Sequence, residues 1–259
     1  RKEIEALTSI PVYGELPRKP RKLKNQEIVV NLEEPSELSE CFPLLAERMV
    51  ALSDGNGGNP LSVLITSTCS GEGKTYLSVN LALSLAVAGK KVLLMDMDLR
   101  KGALSALLGG AGKPGLGDLE QAGEGGWRSL VEQSPVSDHL DYLFAGTVPD
   151  HPSRLFLHDR IRKLMEEVKE QYDFIFMDCV PYSSLADARI VARLADVTLY
   201  VMRAGCVKKR DLAGLQKIWK NGELKRMGIV LCDVEPHGRS SRGYAVYRSL
   251  DTSSPCAGK

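Results

Sequence analysis

The chain has 259 residues with 34 Lys and Arg against 33 Asp and Glu, so its net charge of +1 supplies no global basic field and gives no argument for nucleic acid. With 43% hydrophobic and 26% charged residues it has the composition of an ordinary globular domain with one large core, not of a disordered or fibrous chain. Six scattered cysteines without a CxxC pair argue against a disulfide framework or zinc site and for reduced thiols in a cytosolic compartment, and the lack of a signal peptide or an 18-residue apolar run predicts a soluble piece.

The chain opens on RKEIEAL, without Met, which suggests an excerpt from something longer. A short strand is expected at 10–16, then a basic linker at 17–26 whose Arg18, Lys19, Arg21, Lys22 and Lys24 suit either anionic headgroups or plain solvation. A helix is expected over 36–52 and a loop over 53–60. Apolar, β-branched runs then alternate with helical periodicity: strands at 62–66, 91–95, 140–144, 173–178, 197–203 and 226–231, helices at 75–88, 153–171, 184–194 and 208–221. This order predicts an α/β fold of the P-loop kind, a mostly parallel twisted sheet with helices on both faces. The tail from Pro236 has no apolar period and is expected to be flexible. Three parts follow: 1–26 as a leading segment and linker, 27–235 as the nucleotide domain, and 236–259 as a tail. His139, His151, His158 and His237 show no ligand spacing, and Trp127 and Trp219 read as core or half-buried aromatics.

Chemistry concentrates in residues 67–102. The stretch TCSGEGKT lies between the expected strand at 62–66 and helix at 75–88. Backbone N–H groups of such a glycine-rich turn curl around phosphate oxygens, and the helix start aims its positive end at the same charge. The lysine neutralises terminal phosphates and the next hydroxyl holds Mg²⁺. The candidate nucleotide-binding set is Ser70, Gly71, Glu72, Gly73, Lys74, Thr75 and Tyr76, although the strict pattern wants glycine where Thr68 stands. VLLMDMDLR ends an apolar strand with Asp96 and Asp98, and residues two apart on a strand share a side. Both carboxylates are therefore expected to point one way at the carboxyl end of a parallel sheet, where ligands of α/β folds bind. Two close carboxylates repel, and Mg²⁺ makes the pair tolerable. DFIFMDCVPY puts Asp178 at the end of another strand, the place of a Walker B acid. Three strand ends thus predict one site for ATP and Mg²⁺, with Thr75, Asp96, Asp98 and Asp178 as candidate metal ligands.

SGEGKT, VLLMDMDLRKG and DFIFMDCVPY together resemble the Walker A, A′ and B motifs of bacterial tyrosine autokinases, the cytoplasmic domains of capsule and exopolysaccharide copolymerases. These stand among the deviant-Walker ATPases, with the partition and cell-division-site ATPases. The likeness extends through EIEALTSIPVYGELP, similar to the segment after the last membrane helix of such proteins, and through AGTVPDHPSRLFLHDRIRKLMEEVKEQYDFIFMD. The resemblance implies an ATP-dependent protein-tyrosine autokinase regulating polysaccharide assembly and export, in the cytoplasmic domain of an inner-membrane protein. It implies Lys74, Asp96 and Asp98 as catalytic residues, and Tyr244 and Tyr247 as phosphoacceptors where the family has a dense tyrosine cluster. Implied partners are ATP, the chain's own or a neighbour's tail, a membrane-spanning region or activator subunit, and further copies of the chain; no nucleic acid is expected. The sequence departs from the family at Cys179-Val180-Pro181, where Thr-Pro-Pro is usual, and at Pro43 and Ala46, where the oligomerisation helix carries arginines after Glu40. Cys232 stands in place of an asparagine that often reads adenine. The competing class is a nucleotide-switched regulatory ATPase of the partition type without kinase activity, and the tail tyrosines are the feature that separates the two.

Overall fold

The computed structural model describes residues 2–20, 27–30, 38–123, 125–183, 186–206 and 208–235. Its strands are β1 Val12–Pro17, β2 Leu61–Ser67, β3 Val92–Asp96, β4 Val131–Gln133, β5 Leu140–Leu143, β6 Phe174–Asp178, β7 Val197–Arg203 and β8 Met227–Val234. They form one sheet in the order β1-β8-β7-β2-β6-β3-β5-β4, every pair parallel except β4 with β5. Parallel strands covered on both faces read as unbroken apolar runs, and here the runs divide with period two. Leu64, Leu93, Ile175 and Met177 face one core; Val63, Ile65, Phe174 and Phe176 face the other.

The helices are α1 Lys2–Leu7, α2 Cys41–Asp54, α3 Lys74–Val87, α4 Ala103–Leu107, α5 Leu119–Ala122, α6 Pro152–Leu157, α7 Asp159–Lys169, α8 Ala186–Val191 and α9 Lys209–Lys220. α7, α8 and α9 close the first core, α2 and α3 the second. α3 is buried from Leu77 to Ala86, so the helix that leaves the glycine-rich loop is sunk into the domain and rigidly placed.

Several expectations are revised. The helix expected over 153–171 breaks at His158, whose ψ of 142° is extended; its ring Nδ1 accepts the Arg160 N–H at 3.2 Å and caps α7. The helix expected over 36–52 begins, among the described residues, at Cys41 and runs to Asp54, and the one expected over 184–194 ends in a 3₁₀ turn at Ala192–Leu194. The linker's Arg18 pairs with Asp233 and Glu235. Lys19 pairs with Glu27 and sits 4.0 Å over the Tyr76 ring, so these two cations engage the domain itself. β1 is an edge strand beside β8, and α1 packs on α9, which builds residues 2–20 into the same body. Arg21, Lys22 and Lys24, and the tail with Tyr244 and Tyr247, lie outside the described residues.

Candidate functional site

β2, β6 and β3 lie side by side, so their carboxyl ends meet: Ile65 is opposite Asp178, and Asp178 opposite Asp96. The Met97 N–H donates to the Asp178 carbonyl at 2.8 Å and the Cys179 N–H to the Ile65 carbonyl at 3.1 Å, tying the three ends together just past the sheet. The loop from β2 enters α3 through Gly71 and Gly73, whose φ values of 83° and 101° disfavour any residue with a Cβ. At Gly73 an added Cβ would also stand 3.4 Å from Cys232 Sγ, so the buried cysteine packs directly beneath the loop.

The loop is braced from within. The Glu72 carboxylate accepts the Cys69 N–H at 2.6 Å, the Ser67 hydroxyl donates to the Cys69 carbonyl at 2.6 Å, and Ser183 Oγ donates to the Thr68 carbonyl at 2.6 Å. Glu72 is buried, so of the predicted nucleotide set it is a brace for the loop; the others, Ser70, Gly71, Gly73, Lys74, Thr75 and Tyr76, line a cleft of about 500 Å³. Glu27, Asp98, Arg100, Lys101 and Asp178 complete its walls. Pockets of 180, 360 and 380 Å³ elsewhere on the domain are smaller and lack this convergence of a phosphate loop with carboxylates.

Lys74 Nζ donates to Ser67 Oγ at 3.0 Å, and burial lowers the ammonium pKa, opposed by the charges of Asp178, Glu72 and Asp98. Thr75 donates to Asp178 Oδ2 at 2.8 Å and Ser78 to Oδ1 at 3.1 Å. Burial pushes the Asp178 carboxyl up to about 7; the Thr75 bond pulls it down and the Asp96 carboxylate adds to the push. The expectation that Asp96 and Asp98 share one open side is corrected. β3 ends at Asp96, so strand alternation does not extend to Asp98. Asp96 is fully buried: Oδ2 accepts from the Ser105 N–H at 2.8 Å and the Ser105 hydroxyl at 2.7 Å, and Oδ1 from the Asp98 N–H at 3.1 Å. Burial raises its pKa. Asp98 lines the cleft, with Oδ1 accepting the N–H groups of Arg100 at 3.3 Å and Lys101 at 3.1 Å.

This donor set fits a magnesium nucleotide. Mg²⁺ prefers hard oxygen ligands and is usually held by one or two carboxylates together with phosphates and water. Thr75, Asp178 and Asp98 offer such oxygens, while no group of three His, Cys, Asp or Glu among the described residues is arranged to hold a metal by itself. Sequence reasoning overlooked Ser67, Ser78 and Ser105. Ser78 had a readable signal, a hydroxyl four residues after Lys74 and so on the same face of the helix; Ser105 had none.

Residues 63–258 match the CobQ/CobB/MinD/ParA nucleotide binding domain family. The chain is 34% identical over 209 residues to EpsB of Ralstonia nicotianae, covering 78% of this chain and 27% of that protein. It is 30% identical over 231 residues to the tyrosine-protein kinase YwqD of Bacillus subtilis, covering 88% and 94%. Among solved structures it is similar to the BceF tyrosine kinase domain, with a TM-score of 0.77 and 26% identity over 90% of this chain and 98% of that one. The chain spans about a quarter of the length of several curated relatives it matches.

Proposed function

Because the chain belongs to the CobQ/CobB/MinD/ParA nucleotide-binding family and, within it, to the bacterial tyrosine-protein kinases, we propose that it transfers the terminal phosphoryl group of ATP to tyrosine hydroxyls. The observation that carries this reading is the meeting of Lys74, the Thr75–Asp178 pair and Asp98 in one cleft at three adjacent strand ends. Backbone N–H groups of the loop and the start of α3 receive the phosphates, and Lys74 offsets their charge. Mg²⁺ bound with ATP would draw charge from the phosphates, and Thr75, Asp178 and Asp98 are the residues to hold it. Asp98, on the cleft wall, accepts the proton of the incoming tyrosine hydroxyl. Asp96 acts from beneath, fixing the turn that carries Asp98 through the Asp98 N–H.

Tyr244 and Tyr247 are the proposed acceptors. Tyr244 lies nine residues beyond Glu235, a reach of up to ~30 Å for extended chain. We extend the reading to regulation of capsule or exopolysaccharide assembly, by a cytoplasmic domain working with a membrane-spanning region of the same protein or an activator subunit, and with further copies of itself.

Purified protein incubated with Mg-ATP and analysed by mass spectrometry tests this. Phosphate is expected on Tyr244, Tyr247 or both, and none in Lys74→Met. If ATP is hydrolysed but neither the tail nor a supplied tyrosine-rich peptide gains phosphate, the kinase reading fails and the partition-type switch replaces it.

A further inference from the structure

One buried carboxylate beside the cleft has no part in the roles above. Asp187, in the first turn of α8, is 2% exposed, yet it accepts the Arg100 Nε–H at 2.9 Å and the Ser153 hydroxyl. Arg100 comes from the turn after β3, Ser153 from α6 after β5, and Asp187 from the connection after β6. Three strand-end connections therefore converge on a single carboxylate. A charge so buried persists only with a charged, hydrogen-bonded partner.

That partner faces outward. Arg100 is 42% exposed and lines the nucleotide cleft together with Asp98. A guanidinium carries five N–H donors in a rigid plane. The Nε bond to Asp187 uses one and fixes the plane; the four on Nη1 and Nη2 have no hydrogen-bond partner among the described residues. A P-loop cradles the inner phosphates, so the terminal phosphoryl group projects away from it. Across β6 from the loop stands the turn of Asp98 and Arg100.

We propose that Asp187 is a positioning residue for phosphoryl transfer, holding the Arg100 guanidinium over the cleft so that its Nη groups bind the oxygens of the terminal phosphoryl group. The proposal rests on the ATP-dependent transfer described above, but its binding half needs no tyrosine acceptor. Neither Asp187 nor Arg100 forms a covalent bond. As the acceptor oxygen bonds to the terminal phosphorus, the bond from that phosphorus to the β–γ bridging oxygen breaks, ADP leaves with that electron pair, and the acceptor's proton passes to Asp98. The Nη donors make charge-assisted bonds to oxygens whose charge shifts during this step. An arginine already locked through Nε loses little further freedom when it meets them.

The test compares the parent with Arg100→Ala, Asp187→Asn and the double variant, for affinity toward Mg-ADP and the Mg complex of a non-hydrolysable ATP analogue, and for ATP turnover. ADP affinity is expected to stay within about twofold, while the preference for the triphosphate falls roughly tenfold in Arg100→Ala and about threefold or more in Asp187→Asn. Turnover should fall by ~10²-fold or more and by about tenfold respectively, and the double variant should be no worse than Arg100→Ala alone. If Asp187→Asn weakens ADP and the analogue equally, or its effect adds in full to that of Arg100→Ala, the carboxylate is merely structural and the proposal is overturned. Should Asp187→Asn fail to fold, Arg100→Lys decides the matter, since lysine keeps the charge at this half-exposed position but not the Nε bond. A parent-like triphosphate preference in Arg100→Lys overturns the proposal; a loss close to that of Arg100→Ala supports it. ATP turnover without phosphotyrosine sinks the kinase reading, while the triphosphate preference still decides the role of Asp187.

Discussion

Asp178→Asn asks whether the ligand-free site is built against its own stability. The carboxyl moves from 3.8 to about 7, chiefly through burial. At ~1.4 kcal/mol per pH unit, the ionised group at pH 8 disfavours the folded state by at most about 4 kcal/mol relative to a neutral carboxyl. Asparagine has the same shape and no charge, and one oxygen still accepts from Thr75 or Ser78. The other hydroxyl then faces an amide N–H, which costs about 1–3 kcal/mol. The net expectation at pH 8 is ~1–3 kcal/mol of stabilisation, a Tm rise of roughly 2–12 °C. Because the folded pKa lies above the unfolded one, the parent's stability is greatest at low pH and is lost as pH rises from about 4 through about 7. Moving from pH 8 to pH 5.5 therefore returns ~2 kcal/mol to the parent, and the variant's advantage should shrink by that amount. Thermal unfolding followed by circular dichroism at both pH values, without nucleotide, measures this; with Mg-ATP at pH 8 the variant should lose the parent's ligand-induced rise. A variant that melts below the parent at pH 8, or an equal gap at both pH values, refutes the reasoning.

Lys74→Met should leave the fold intact, because the ammonium bonds only Ser67 Oγ among the described residues, and should abolish the rise in melting temperature with Mg-ATP; an undiminished rise would remove Lys74 from the phosphate site. Asp98→Asn keeps an oxygen for the Arg100 and Lys101 N–H groups but loses one carboxylate charge beside Mg²⁺, so Mg-nucleotide affinity should fall modestly, by roughly tenfold or less, while turnover drops by ~10²-fold beyond that loss. Unchanged turnover would exclude Asp98 as the proton acceptor.

The sheet was legible because its strands are buried on both faces, so Val63 to Ile65 and Phe174 to Met177 announce themselves as apolar runs whichever core they serve. β4 was not, since three residues at an antiparallel edge show no measurable alternation. The break at His158 was hidden because Pro152–Leu157 and Asp159–Lys169 keep compatible apolar spacing across it. The loop, Lys74, Thr75 and Asp178 were readable from spacing alone. Asp96 and Asp98 were readable as a pair but not as two different environments, because where β3 stops depends on the turn that Asp98 itself caps. Asp187 gave no signal: it is meaningful only beside Arg100, 87 residues away in sequence.

The positions where this chain departs from its kin fall where the fold can take them without moving the phosphate loop. Pro43 is the third residue of α2, and a helix's first N–H groups have no intrahelical acceptor, so proline removes no hydrogen bond there. Ala46 is buried against the second core, and with Pro43 and Val50 it lines an apolar groove beside α3. Cys232 is the more consequential change. Its Sγ occupies the space under Gly73, and burial pushes its pKa up to about 12, which keeps the thiol protonated and unreactive. A small, uncharged side chain at this spot preserves the left-handed turn at Gly73, and with it the direction of the N–H groups that the phosphates need. The same burial keeps position 232 off the wall of the cleft.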